Sequence, residues 1–169
     1  MIYLDTSAMV KLVIREQESD QLIEWLNDVT DDDYMQSLTR GARPIRIDCC
    51  TAQIGHVELM RVALRLGDSA QPLARGLGEV EPPDGDAAVA ARRLLDKIDT
   101  LLMTPEIADL AKTIPPAELC TLDAIHLATV LANNSSVTTV CAYDRRLIAA
   151  CEQHDLAVIA PGAALEGAP

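Results

Sequence analysis

Phenylalanine is absent from this chain of 169 residues, tryptophan occurs once and tyrosine three times. The core must therefore be built from Leu, Ile, Val and Ala, which the 49% of hydrophobic residues readily supply. A single domain of this length buries about 70% of its unfolded surface. No apolar run reaches the ~20 residues that cross a bilayer, and no basic-then-apolar leader opens the chain. The expectation is a soluble, cytoplasmic protein with no membrane partner. Cysteines number five, an odd count without a Cys-x-x-Cys pair. Cys49 and Cys50 would face opposite ways on a strand, and Cys120, Cys141 and Cys151 lie in or beside apolar stretches. They read as buried reduced thiols rather than disulfides or a zinc site. Bases are also scarce, 14 against 26 acids, for a net charge of −12. That balance argues against a surface that coats nucleic acid nonspecifically. A nuclease whose acids gather around a metal is still compatible with it. With no Gly-rich phosphate loop and no Gly-x-Ser-x-Gly turn, neither nucleotide-triphosphate nor elbow-serine chemistry is indicated.

What is present begins at Met1–Ser7, Met-Ile-Tyr-Leu-Asp-Thr-Ser. Ile2, Tyr3 and Leu4 form an unbroken β-forming run, the pattern of a strand buried on both faces of a parallel sheet. Asp5 follows, then a helix-like run from Ala8 to Ile14. In an open α/β sheet the carboxyl end of a central strand borders the ligand crevice, so Asp5 is a candidate site residue. The plainer reading is a helix N-cap.

Downstream, strand and helix patterns alternate. A helix is expected from Glu18 or Ser19 to Asn27, and Val29–Pro44 reads as a solvated charged loop or, less simply, a mobile flap. Ile45–Thr51 reads as a strand, Ala52–Leu66 as a helix, Gly67–Asp86 as a connection and Ala87–Asp96 as a helix. Then come a strand at Ile98–Met103 and a helix at Pro105–Lys112, capped by Thr104 and begun by Pro105. Leu122–Leu131 is a strongly apolar helix, Val137–Ala142 a strand, Arg145–Gln153 a helix and Leu156–Ile159 a last strand. This alternation calls for one parallel sheet with helices on both faces. It predicts a single domain over residues 1–160, with a frayed Gly-, Ala- and Pro-rich tail from 161 to 169.

Three more acids stand out by context. Glu58 sits among apolar residues of its helix and needs a partner or a metal there, or else a surface pairing with Arg61. Asp123 opens an apolar helix, and Asp144 follows the fourth strand as Asp5 follows the first. If those strands are neighbours, the four carboxylates meet at the switch point. A pair ~4 Å apart at an effective dielectric of 20 repels by about 4 kcal/mol. Such a cluster takes up protons or holds a hard cation, Mg²⁺ or Mn²⁺, and the chemistry that uses it is phosphodiester hydrolysis. His126, three residues from Asp123, reads as a structural histidine and is left out of the catalytic set.

Together these stretches resemble the PIN-domain family, specifically the VapC-type toxins of bacterial toxin–antitoxin pairs. Met-Ile-Tyr-Leu-Asp-Thr-Ser-Ala is similar to the family's first motif, and Val57-Glu58-Leu59 to its second. Leu122-Asp123-Ala124-Ile125-His126-Leu127-Ala128 is similar to the third, and Tyr143-Asp144-Arg145-Arg146-Leu147 to the fourth. The resemblance implies a PIN-like three-layer α/β/α fold with a five-stranded parallel sheet in the order 3-2-1-4-5. It implies Mg²⁺- or Mn²⁺-dependent endoribonuclease activity, with Asp5, Glu58, Asp123 and Asp144 as catalytic and metal-binding acids, and Thr6 or Ser7 orienting the first carboxylate or a metal-bound water. It also implies an RNA substrate and a VapB-type antitoxin that inserts an Arg or Lys among the acids. Val29–Pro44 is longer than usual for the family, and Cys120 stands where similar proteins often carry Arg.

Two other readings compete. A phosphatase of the haloacid-dehalogenase type also starts from an acid after the first strand, but wants a second Asp where Ser7 stands. A non-catalytic module could use the acidic crevice to bind a basic partner. Finally, the apolar residues Val10, Leu22, Trp25 and Leu26 exceed what one sheet face obviously needs. They suggest cover by an antitoxin helix and a two-fold homodimer.

Overall fold

In the computed structural model, which describes residues 1–38, 48–66 and 86–163, β1 (Ile2–Leu4) lies at the centre of one sheet. It pairs in parallel with β2 (Cys49–Ala52) on one side and β4 (Thr139–Cys141) on the other. β3 (Asp99–Leu101) and β5 (Val158–Ile159) are the edges, so the order is β3-β2-β1-β4-β5, all parallel, as the resemblance implies. Successive residues of β1 serve different layers. Tyr3 and Leu4 are both fully buried, Leu4 in one core cluster and Tyr3 in the other. The same alternation sends Cys49 to the first cluster and Cys50 to the second. Burial pushes both thiols up to about 12, so they act as small apolar side chains.

α1 (Thr6–Val13), α2 (Ser19–Leu38), α3 (Gln53–Leu66) and α4 (Ala87–Leu95) supply the cluster around Leu4, with Met9, Leu22, Leu26, Leu59 and Leu94. α5 (Pro105–Ala111), α6 (Thr121–Ala132) and α7 (Arg145–Gln153) supply the cluster around Tyr3, with Ile107, Leu127 and Leu147. Fully burying one such side chain is worth about 1.5–3 kcal/mol, which is how an almost non-aromatic chain holds two layers on a sheet. No described helix is long and apolar enough to cross a membrane.

Several boundaries depart from the sequence reading. α2 does not stop at Asn27 but continues through Leu38, taking up more than half of the stretch expected to be a loop. That stretch has no Pro or Gly before Gly41, and polar residues need no apolar period to extend a helix already docked at its start. Residues 39–44 of that stretch, 45–47 of the expected second strand, 67–85 of the connection and 164–169 of the tail lie outside the described residues. Leu22 and Leu26 are fully buried in the chain's own core, so they offer no surface to a partner. Thr104 and Pro105 begin α5 as expected, the Thr104 hydroxyl accepting from the Ile107 amide.

Lys11 was not singled out by pattern, yet it is 9% exposed. Its Nζ lies 2.7 Å from Glu18, 2.9 Å from Glu16 and 4.8 Å above the Tyr143 ring. Burial favours the neutral amine, but the hydrogen bonds to Glu18 and Glu16 outweigh it and raise the Lys11 pKa. The buried Ser19 hydroxyl donates to the Lys11 carbonyl and accepts from the Glu16 amide, closing the α1–α2 corner.

Gly55 sets the approach of α3 to the sheet. A Cβ there would lie 2.7 Å from Thr51 Oγ1, 3.0 Å from Met9 Cε and 3.6 Å from His126 Cε1. Thr51 is held in place because its hydroxyl donates to the Leu4 carbonyl at 2.8 Å. Helix propensity favours alanine over glycine by about 1 kcal/mol, whereas overpacking costs about 1–3 kcal/mol. The net effect of Gly55→Ala should be destabilisation. Each kcal/mol moves the melting midpoint of a domain this size by roughly 2–4 °C. A thermal melt with an unchanged or higher midpoint would show that α3 can move away at no cost.

Candidate active site

The Asp5 amide continues the β1–β4 ladder to the Cys141 carbonyl at 3.0 Å, which fixes where its side chain emerges. That side chain caps α1: Oδ2 accepts from the Ser7 amide at 3.1 Å and the Ser7 hydroxyl at 2.6 Å. Asp5 is 5% exposed, so the cap and the crevice position coincide in one residue. Ser7 Oγ in turn accepts from the Tyr143 amide at 2.8 Å, coupling the end of β1 to the turn that carries Asp144.

Glu58 reaches the same region from α3. Its Oε2 accepts from Thr6 Oγ1 at 2.6 Å and is 2.7 Å from His126 Nε2, so its described partners are these two rather than Arg61. Burial alone would raise the Glu58 pKa, but the hydrogen bonds from His126 and then Thr6 hold it below the usual carboxylate value. His126 shows the complementary effect. Burial favours its neutral ring, yet Glu58, Asp5 and Asp123 raise its pKa above the ordinary value. The ring is 2% exposed, with Nδ1 2.5 Å from the Tyr3 hydroxyl and Nε2 3.7 Å from Asp5 Oδ1, too long for a hydrogen bond.

The other two acids form a second pair. Asp144 caps α7, accepting from the Arg146 and Leu147 amides, and Arg146 Nη2 lies 3.3 Å from its other oxygen. Burial would raise the Asp144 carboxyl; the Arg146 side-chain and backbone hydrogen bonds, with that of Leu147, lower it instead. The same guanidinium is 3.8 Å from Asp123 Oδ2. Cys120 caps α6 without a side-chain hydrogen bond to its backbone. Burial and the neighbouring Asp123 push its thiol pKa up.

The acids therefore stand as two pairs, Asp5 with Glu58 around His126, and Asp123 with Asp144 around Arg146. Ser7 and Tyr143 join them on one side, and α6 joins them by carrying both Asp123 and His126. Among the described residues no three metal-capable side chains are gathered into a ready-made cage. Arg146 is the contributor that sequence reasoning did not single out, and His126, set aside there as structural, is the partner of Glu58. The signal for His126 was its spacing from Asp123, which puts both on one helix face.

Residues 2–153 match the PIN domain model. The chain is a PIN-domain protein of the VapC type. It is 39% identical to Ribonuclease VapC47 of Mycobacterium tuberculosis (strain CDC 1551 / Oshkosh), over 96% of this chain and 98% of that one. It is 36% identical to Ribonuclease VapC46 of Mycobacterium tuberculosis (strain ATCC 25618 / H37Rv), over 95% and 97%. Among solved structures, Mycobacterium tuberculosis VapC20, described as a Sarcin-Ricin loop cleaving toxin, shares the fold. The TM-score is 0.51 at 17% identity, covering 89% of this chain and 95% of that one. All four acids of this VapC-type chain fall within the span matched by the PIN model.

The fit of a hard divalent ion to this PIN site can be judged from Asp123. Its Oδ2 is buried and accepts no hydrogen bond. Such an oxygen is costly unless something satisfies it, and an oxygen-seeking cation does so. With only carboxylates as anionic donors, the residues fit Mg²⁺ or Mn²⁺ in donor chemistry.

The shifts of His126 and Glu58 contribute to the acid–base behaviour of the metal-free fold. His126 is raised from 6.5, so its contribution is complete below that pH and is lost as pH rises through the higher folded value. Glu58 is lowered from 4.5, so its contribution is complete above that pH and is lost as pH falls through the lower folded value. Thermal melts of the chelator-treated protein should peak between these limits, and His126→Gln should flatten the alkaline side. An alkaline slope identical in wild type and variant would assign it to another group.

Proposed function

We propose that this chain is a metal-dependent endoribonuclease toxin of a VapBC-type pair, hydrolysing RNA phosphodiester bonds with Asp5, Glu58, Asp123 and Asp144. Asp5, Asp123 and Asp144, with Glu58 beside them, would hold Mg²⁺ or Mn²⁺. The single observation that carries the reading is the unsatisfied, buried Asp123 Oδ2 within a PIN fold whose other three motif acids line the same end of the sheet. When bound, the ion supplies water activation and offsets charge on the phosphate. The chain's own part is to hold the acids in place and aimed. Ser7 fixes Asp5, Thr6 and His126 fix Glu58, and the α7 amides fix Asp144. Arg146 is exposed beside Asp123 and Asp144, where a guanidinium can meet an RNA phosphate in a chain otherwise poor in bases.

Arg146 also supports the partner reading. A cation already settles between Asp123 and Asp144, and an Arg or Lys from a VapB-type antitoxin would compete for that position. For the homodimer, Leu102 and Met103, which directly follow β3, and Val57 on α3 are exposed apolar residues. Val57 and Met103 line an open groove of about 530 Å³ with Ile54 and Pro105. No observation favours the phosphatase reading, since Ser7 occupies the place of its second acid.

Asp5→Asn, Asp123→Asn and Asp144→Asn should each abolish most Mn²⁺-dependent cleavage of RNA and relieve growth arrest. Combining two should add little, because the acids act as a unit. An Asp123→Asn protein cleaving at the wild-type rate would remove Asp123 from the site.

Binding can be checked without a substrate. An ion at about 100 times its dissociation constant adds ~2.7 kcal/mol, so saturating Mn²⁺ should raise the melting midpoint by roughly 5–10 °C. Asp5→Asn keeps a good helix cap and should lose most of that shift while leaving the metal-free midpoint unchanged or higher. Equal Mn²⁺ shifts in both proteins would place the ion elsewhere.

A further inference from the structure

The nuclease reading accounts for the four acids but leaves a buried tyrosine and a buried histidine stacked behind one of them. Tyr3 comes from the central strand and His126 from α6, and both are nearly inaccessible, at 0% and 2%. Their rings meet edge to face, 78° apart with centroids 6.0 Å from each other. The hydroxyl of Tyr3 is 2.5 Å from His126 Nδ1, and His126 Nε2 is 2.7 Å from Glu58 Oε2. Thr6 Oγ1 donates to that same Oε2 at 2.6 Å. Core packing alone requires neither the phenol oxygen nor the ring nitrogens, and buried polar atoms cost free energy unless paired.

We propose that Tyr3 and His126 are positioning residues that work through Glu58: Tyr3 sets the ring of His126, and His126 with Thr6 holds Glu58 Oε2 so that Oε1 is the oxygen turned to metal and substrate. The proposal rests on the nuclease reading for what Oε1 does, but the relay itself stands on geometry. A tyrosine hydroxyl can either donate or accept. With a neutral ring it donates to Nδ1, which leaves the hydrogen on Nε2. With a charged ring it accepts from Nδ1, and Nε2 again carries a hydrogen. In both states His126 presents a donor to Glu58, so the carboxylate keeps its orientation whatever the ring's charge. A phenylalanine at position 3 would leave Nδ1 without this partner, so the ring would be held at its Nε2 end by Glu58 alone and lose the anchor that fixes its tilt. Such outer contacts fix first-contact ligands in metal sites generally, where losing them costs 10–100-fold.

The ring also lies beside α3, its Cε1 3.6 Å from the place a Cβ would take at Gly55. Thr6 and His126 approach Glu58 from different elements, α1 and α6, and converge on one oxygen. The convergence leaves Oε1 without a described hydrogen bond, and Glu58 is 20% exposed, enough to face the crevice.

The test uses the full chain and the variants Tyr3→Phe, His126→Gln, His126→Leu, Glu58→Gln and the double variant Tyr3→Phe/Glu58→Gln. Tyr3→Phe removes one oxygen and keeps the ring, so the core should remain packed. Steady-state cleavage of an RNA substrate with Mn²⁺ should show kcat down by about tenfold in Tyr3→Phe with KM little changed. On the Glu58→Gln background the same substitution should do almost nothing, since a residue that acts through Glu58 has nothing left to act through. His126→Gln places an amide N–H where Nε2 stood and should retain more activity than His126→Leu. Equal losses from Tyr3→Phe on both backgrounds would overturn the proposal in favour of a general packing defect, and so would wild-type kcat in Tyr3→Phe.

A second measurement needs no activity and no metal. Nitrogen-15 NMR of the His126 ring in the metal-free protein should report a hydrogen on Nε2 in wild type, and Tyr3→Phe should shift the Nδ1 signal. Glu58→Gln should shift the Nε2 signal. Ring signals unmoved by either variant would overturn the relay. A wild-type protein that cleaves no RNA but shows both shifts would overturn the nuclease reading while upholding the relay.

Discussion

A carboxylate placed where water barely reaches is the constraint on which this structure turns. Asp5 sits at the end of a strand buried on both faces, and it is tolerable there because donors are supplied locally. The first turn of α1 gives it an amide, and Ser7 gives it a hydroxyl. Both come from residues within two positions of Asp5 itself, so the short run from Ile2 to Ser7 carries the strand, the acid and the acid's solvation. The rest of the fold brings other elements to that point. β4 is the neighbour of β1, which sets the Tyr143 amide on Ser7, and α3 and α6 bring Glu58 and His126.

The same solution recurs with different parts. Asp144 is held by the amides of α7 and by Arg146, and Glu58 by a hydroxyl and an imidazole. Each acid has its own internal donor, which lessens the mutual repulsion that four carboxylates would otherwise add to folding. Asp123 is the exception, with one oxygen buried and unmatched. One guanidinium and one imidazole stand among the four acids, so the site keeps an acidic surplus, and Asp123 Oδ2 meets the Arg146 guanidinium only at 3.8 Å, beyond hydrogen-bonding distance.

How far the sequence alone reached follows from which forces are local. The run Ile2–Leu4, the caps at Asp5 and Thr104 and the alternation of strand and helix are local patterns, and they led to the right elements. Strand order came from the likeness of four motifs to a known family, since nothing in one strand's composition says which neighbour it takes. The full length of α2 was missed because a polar stretch without period carries no signal once a docked helix can simply continue. Leu22 and Leu26 were assigned to a partner because the depth of the chain's own core could not be judged from a stripe. His126 was set aside as structural for a related reason. Its meaning depends on Tyr3 and Glu58, which lie 123 and 68 positions away along the chain.

The crowding around Gly55 bears on how such a chain can change over time. Thr51 and, less rigidly, the end of Met9 crowd the spot where a side chain at position 55 would begin. Thr51 is itself tied to the strand that leads to Asp5. A bulkier residue at 55 would require a smaller one at 51 or a shifted Met9. Positions 9, 51 and 55 therefore form a group in which single steps are penalised and paired steps are permitted. Drift in the outer faces of the helices can proceed freely while this group holds its composition, so the interior at the start of α3 should diversify in jumps rather than gradually.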